Sequence, residues 1–342
     1  MTGGTQRRSR RCQVDRLASQ FVCGYQQDPH DASLRGRPLY PAATMFDYLE
    51  LSHGPVHWKD YGGEGSDFVM VHGLGGSIAN WDVIGPRLAR LGHVTALDLP
   101  GFGLSPPGPD WSLETHARAI DEFIRHRNTG RAVLIGNSMG GLLCEMVAAN
   151  SPELVDALIL ISPATPPRFP DPHIHWPTAR RLVANSTPGI GPALSRRMVS
   201  RMTPRELINE SLARITHKPG RVPLEMVESF VHLAEIRAHY PWAADAVPKT
   251  GQSIRKHFLH RREFVAMIRD IKTPTLVVHG IEDPIISRTA VSWLCSLRLD
   301  WTLVQMDDTG HTPHIDAPIR FLGIVEPWLE SHLKREIEAS LT

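Results

Sequence analysis

The sequence predicts an α/β fold: a mostly parallel, eight-stranded sheet covered by helices on both faces, with an inserted helical cap. Three observations predict it. Short runs rich in Val, Ile and Leu recur between Gly, Pro and Asp residues. Helix-length segments stand between the later runs, and strand–helix alternation calls for a parallel sheet with both faces covered. One long stretch, 163–262, carries helical patterns and no strand pattern.

The expected strands are 47–51, 56–61, 68–72, 94–98, 132–136, 157–161, 275–279 and 302–306. The first two are close enough to form an antiparallel hairpin at one edge. Expected helices are 81–91, 113–126, 139–150, 289–297 and 319–333. Within 163–262, Thr203-Pro204-Arg205-Glu206 reads as a capping box with Pro at the first helical position. Residues 222–239 carry Leu224, Val227, Val231 and Ala234 at helical spacing, with Glu225, Glu228 and Arg237 for the wet face. Residues 42–162 and 263–342 therefore form the core, and 163–262 a cap over the sheet's C-terminal edge. From 163 to 270 there are 14 Arg and 3 Lys against 9 acids, a basic surplus that suits an anionic substrate or an anionic membrane surface.

Composition excludes several classes. The chain has 342 residues, 42% hydrophobic and 21% charged, which rules out wholesale disorder and a fibrous fold. A net charge of +1 gives nucleic-acid binding no electrostatic footing. No apolar run approaches the roughly 18 residues of a membrane span. The cysteines, Cys12, Cys23, Cys144 and Cys295, form no CxxC pair and no zinc spacing, and point to a reducing cytoplasm. Residues 1–41 hold seven Arg and three Asp but lack the apolar stretch of an export signal. They read as a flexible basic extension, a composition that an organelle transit peptide shares.

The strongest chemical signal is Gly136-Asn137-Ser138-Met139-Gly140-Gly141, after an expected strand and at the start of an expected helix. So tight a turn strains its middle residue, and side chains two positions either side would collide, so Gly136 and Gly140 are required. The turn lifts a hydroxyl above the sheet, beside a helix N-terminus. A serine hydroxyl needs a base, and the base an orienting carboxylate. Both follow in order: His279-Gly280-Ile281-Glu282-Asp283 after one strand and Gly310-His311-Thr312-Pro313-His314 after the next. By residue type, Glu282 competes with Asp283 and His314 with His311. Earlier, His72-Gly73-Leu74-Gly75-Gly76 also follows a strand. Its backbone at Leu74, with that of Met139, offers two donors to a developing oxyanion. Asp171, His173 and His175 stand close together, but no third metal ligand type stands at an obvious spacing from the two histidines.

Together with Asp98-Leu-Pro-Gly101-Phe-Gly103-Leu-Ser105, these motifs resemble the α/β-hydrolase fold, in the serine-hydrolase branch with a helical cap. The matching pieces span 47–335. The resemblance implies Ser138 as nucleophile, Asp283 as orienting acid, His311 as base, and Leu74 and Met139 as oxyanion donors. His72, Gly73, Gly136 and Gly140 are then supporting turn residues, and no cofactor or metal is implied. The expected reaction is hydrolysis of a small-molecule, lipid-like carboxylic ester, with peripheral membrane contact through the basic cap as a lesser expectation. Two alternatives stand: a carbon–carbon bond hydrolase of a ring-cleavage diketone, and a receptor or scaffold without turnover. The diketone group typically carries Trp after the catalytic His, where this chain has Thr312. Ser138 itself disfavours epoxide hydrolysis and dehalogenation, whose enzymes of this fold attack with Asp.

Overall fold

The computed structural model describes residues 47–127 and 130–340. The basic segment 1–41, with Cys12 and Cys23, lies outside the described residues. Eight strands form one sheet: β1 (Asp47–Leu51), β2 (Gly54–Gly62), β3 (Asp67–Val71), β4 (His93–Leu97), β5 (Ala132–Asn137), β6 (Val155–Ile161), β7 (Thr275–Gly280) and β8 (Thr302–Met306). Their order across the sheet is β1-β2-β4-β3-β5-β6-β7-β8. β1 pairs with β2 and β2 with β4 in antiparallel fashion; every later pairing is parallel.

Alternation along a strand divides the core between the two faces. In β5, Ala132 and Leu134 join one apolar cluster, while Val133 and Ile135 join the other. The first face is covered by α2 (Leu113–Arg127), α3 (Met139–Asn150), α9 (Arg261–Asp270) and α10 (Arg288–Ser296). The second is covered by α1 (Gly85–Leu88) and α12 (Pro318–Ser340), which follows the single turn of α11 (Pro313–Asp316).

The expected helix 81–91 is instead a 3₁₀ turn, Ile78–Trp81, followed by the single turn of α1. Trp81, Ile84 and Leu88 are fully buried, so the apolar spacing is real. Pro86 has no N–H to give a continuous helix, which breaks it into two short pieces. At the other end α12 runs past 333, where the apolar periodicity had marked its end.

Between β6 and α9 lie α4 (Trp176–Asn185), α5 (Ile190–Val199), α6 (Pro204–Ile215), α7 (Leu224–Arg237) and α8 (Ala243–Leu259), with no strand. The capping box forms at α6: the Thr203 hydroxyl accepts from the Glu206 N–H at 3.3 Å, and the Thr203 N–H donates to Glu206 Oε2 at 2.8 Å. The buried stripe of α7 differs from the expected one. Met226, Phe230 and Val231 are buried, whereas Leu224 is 67% exposed. The helix serves two surfaces: Met226 packs with Leu212 and Ile315, and Leu233 and Ala234 face a cavity.

Candidate active site

The strand order reverses at β3, which has β4 on one side and β5 on the other. Such a switch opens a crevice beyond the strands' carboxyl ends. The chain places His72–Gly76 at the end of β3 and Ser138 at the end of β5. A Cβ on Gly73 would sit 3.2 Å from the Ser138 Cβ, so the two turns touch.

Ser138 is held in a strained conformation, φ 54° and ψ −117°, just ahead of α3. Its N–H donates to Ile161 O at 2.9 Å, and its carbonyl accepts from Ala164 N–H at 2.9 Å. The two flanking glycines explain why the turn closes. A Cβ on Gly136 would lie 2.4 Å from Gly140 O, and one on Gly140 would lie 2.1 Å from Val71 O. Ser138 is half-buried, while Asn137 and Met139 on either side are buried. Met139 opens α3, so its N–H has no intrahelical partner.

Asp283 and His311 come together 28 residues apart in sequence. His311 Nδ1 lies 2.8 Å from Asp283 Oδ2, both side chains being buried. The other carboxylate oxygen accepts from the N–H groups of Ile285 at 2.7 Å and Ile286 at 3.0 Å. Burial pushes the Asp283 carboxyl up, but His311, His279 and the Ile285 N–H pull it down further, and the net direction is downward. The competitors are used otherwise. Glu282 Oε2 accepts from the Thr309 N–H at 3.1 Å. His314 is fully buried and stacks on Trp81 with centroids 4.7 Å apart; burial pushes its pKa down to about 3.

His72 shows how the first turn is fixed. Its Nε2 accepts from the Leu99 N–H at 3.0 Å, so the proton is on Nδ1, which donates to Gly73 O at 2.7 Å. Burial lowers its pKa, keeping the ring neutral. Asp98 does similar work behind the site: its carboxylate accepts from Ile78 N–H at 2.8 Å and Leu104 N–H at 2.9 Å, and lies 2.6 Å from His57 Nδ1.

Two positioning residues escaped the sequence reading. Asn137 Nδ2 donates to Ile161 O at 3.0 Å and His311 O at 3.2 Å, tying the strained serine turn to the loop that carries His311. Asp316 Oδ2 accepts from Gly310 N–H at 2.6 Å and His217 N–H at 2.7 Å, joining that loop to the segment after α6. Asn137 sits inside the motif already singled out, which was its signal. Asp316 had none, because its partners are backbone N–H groups, one of them 99 residues away. Thr312 adds to the same seam: its N–H and hydroxyl both donate to Ile215 O.

Ser138, Asp283 and His311 all line one cavity of about 1230 Å³ beneath α4–α8. Most of its wall is apolar, with Leu74, Val183, Ile208, Phe230, Ile254 and Phe258 among the lining side chains. Trp176 also lines it, whereas Trp242 stacks on Tyr240 at 4.9 Å. Arg237 of α7 donates to the carbonyls of Gly101 and Gly103, fastening that helix to the loop after β4. Asp171 accepts from the Ser287 hydroxyl and the His173 N–H. Among the described residues no group of three His, Cys, Asp or Glu could hold a metal ion, and no helix is long and apolar enough to cross a membrane.

A mostly parallel sheet with this strained serine turn, and with a buried Asp–His pair lining the same cavity, defines a hydrolase of the α/β class. The chain belongs to the alpha/beta hydrolase family, whose profile matches residues 68–323. It is similar to the 2-hydroxy-6-oxo-6-(2'-aminophenyl)hexa-2,4-dienoic acid hydrolase of Metapseudomonas resinovorans, 27% identical over 272 residues, 76% of this chain and 82% of that one. It is also similar to the sn-1-specific diacylglycerol lipase ABHD11 of Danio rerio, 25% identical over 274 residues, 78% of this chain and 80% of that one. Among solved structures, a thermophilic esterase from Thermogutta terrifontis matches with a TM-score of 0.64 and 22% identity, covering 84% of this chain and 99% of that one. That last likeness is one of fold.

Proposed function

We propose that this hydrolase cleaves a carboxylic ester with a large apolar acyl part, using Ser138, His311 and Asp283. The observation that carries the proposal is the 2.8 Å contact between Asp283 and His311 in the same cavity as the strained Ser138. Ser138 Oγ attacks the ester carbonyl carbon while His311 Nε2 takes its proton. The N–H groups of Leu74 and Met139 stabilise the oxyanion. The C–O bond breaks as His311 returns the proton to the leaving alcohol. Water, deprotonated by His311, then attacks the acyl-enzyme and regenerates Ser138. Asp283 holds the Nδ1–H tautomer and stabilises the imidazolium.

A lipid-like acyl group is supported by the cavity. Its volume exceeds the roughly 300–1,000 Å³ usual for small-ligand sites, and its wall is mostly apolar. Residues 163–262 act as the cap that shields this space. A second reading, carbon–carbon bond hydrolysis, is supported by the name of the Metapseudomonas relative. Thr312 counts against it, since its backbone and hydroxyl are engaged with Ile215 rather than presenting a ring to the substrate.

The test is a panel of p-nitrophenyl esters from acetyl to palmitoyl, run beside a vinylogous 1,5-diketone. The ester reading expects kcat/KM to rise with chain length and to vanish in Ser138→Ala. Faster turnover of the diketone would favour the second reading. Binding of long-chain esters without turnover would favour a receptor.

A further inference from the structure

On the outer side of the cap boundary lies a second cavity, of about 470 Å³. Its lining is Arg168, Arg261, Arg262, Val265, Ala266, Arg269, Trp293 and Leu297. Four arginines thus line one notch, and no acidic residue lines it. Like charges gathered in this way repel one another, and a protein ordinarily relieves the repulsion with carboxylates. Here, among the described residues, none of the four arginines forms an ion pair with a carboxylate. Two acids on α9 adjoin these arginines in sequence: Glu263 sits close enough to His257 to act on its charge, and Asp270, directly after Arg269, forms no ion pair with it.

The notch is built rather than incidental. Trp293 forms its floor, resting on the buried Phe264 with centroids 6.1 Å apart. The guanidinium carbons of Arg261 and Arg168 lie 4.6 Å and 5.2 Å from the centre of the Trp293 ring. Arg261 is further fixed by a 3.1 Å bond from Nη1 to Pro167 O. That leaves Arg261 Nη2, which is buried and has no hydrogen-bond partner. A buried donor on a charged group is costly to leave unpaired. Arg261 also lines the main cavity, so the notch adjoins the space in which the acyl group is expected.

We propose that this notch is a binding site for a phosphate group, held by Arg168, Arg261, Arg262 and Arg269. Phosphate fits better than a single carboxylate because four guanidinium groups with no counter-ion call for an anion with more than one charge and several acceptor oxygens. The phosphate is carried on a ligand whose apolar tail enters the main cavity past Arg261, or is free in solution. The site does not depend on the catalytic reading, because none of its residues belongs to the triad.

The test is calorimetric titration of the full chain at low ionic strength. The titrants are inorganic phosphate, dodecyl phosphate and, as control, chloride at matched ionic strength. Saturable binding of phosphate but not of chloride is expected. Arg168→Gln with Arg269→Gln should weaken it about tenfold or more, because charge-assisted bonds are lost. Both residues are exposed, so the double variant should stay folded, with its melting temperature lowered only slightly by loss of the Arg168–Trp293 stacking. Arg168→Lys should retain most of the affinity. Tighter binding of dodecyl phosphate, in competition with a long-chain ester, identifies a tailed ligand; equal binding of both phosphates identifies the free anion. The proposal is overturned if neither phosphate binds saturably, or if the folded double variant binds as well as the wild type. Loss of ester hydrolysis in Ser138→Ala with phosphate binding unchanged would separate the two sites.

Discussion

Replacing Asp283 with Asn probes the link between geometry and rate most quantitatively. The carboxylate is buried and lies 2.8 Å from His311 Nδ1. In the proposed mechanism His311 takes the serine proton and becomes a cation at that distance. With an effective dielectric constant of about 20, the attraction is about 6 kcal/mol. At 1.36 kcal/mol per factor of ten, that is about four powers of ten in kcat. Asparagine keeps an oxygen for the Ile285 and Ile286 N–H groups, so the loop can keep its shape. Its amide nitrogen, however, would face His311 Nδ1 as a donor. That forces the imidazole proton onto Nε2, where the base must be free. The assay is hydrolysis of the best p-nitrophenyl ester, with kcat and KM determined separately and melting temperature as a fold control. The expected result is a fall in kcat of about 10⁴ with KM changed little. A folded variant that loses less than about tenfold would refute the assigned role of Asp283.

Other perturbations have equally definite outcomes. Glu145 is fully buried, its carboxylate oxygens have no hydrogen-bond partner, and burial holds its pKa well above the ordinary value. A folded-state pKa raised in this way makes wild-type stability fall as pH rises above 4.5, so Glu145→Met should gain roughly 1–3 kcal/mol at pH 8 and much less at pH 5; an equal gain in melting temperature at both pH values would contradict this. His314 has its pKa lowered from 6.5 to about 3, so the unfolded chain takes up a proton first and stability falls as pH drops through that interval, by up to about 1.4 kcal/mol per unit. His314→Phe should keep the stack on Trp81 and show a shallower acid limb in thermal melts. In Gly280→Ala the new Cβ would fall 2.0 Å from Gly310 O, which must push the Asp283 and His311 loops apart; kcat should fall about 10²-fold or more in protein that still folds.

What was legible in the sequence was local. The strands announced themselves because a doubly covered sheet needs continuous apolar runs such as Leu158–Ile161, and β5 through α3 because a strained serine turn tolerates only Gly at 136 and 140. Asp283 and His311 were legible because each follows a strand directly. Less was visible where function depends on contacts between distant backbones. Asp316 reaches His217, and Arg237 reaches Gly101 and Gly103; none of these pairs leaves a spacing to read. The stripe of α7 was misread for a related reason: a helix between a core and a cavity is apolar on two sides, so its period does not tell which side is packed. The arginine notch gathers residues from three segments and appeared in the sequence only as a diffuse excess of charge.

The account depends most on Ser138 being the atom that becomes acylated. Labelling of the full chain with a fluorophosphonate, followed by peptide mass mapping, measures this directly. One adduct, on Ser138, absent from Ser138→Ala and slowed severely in Asp283→Asn, is the predicted result. Continued ester hydrolysis by Ser138→Ala, or an adduct on any other residue, would contradict it.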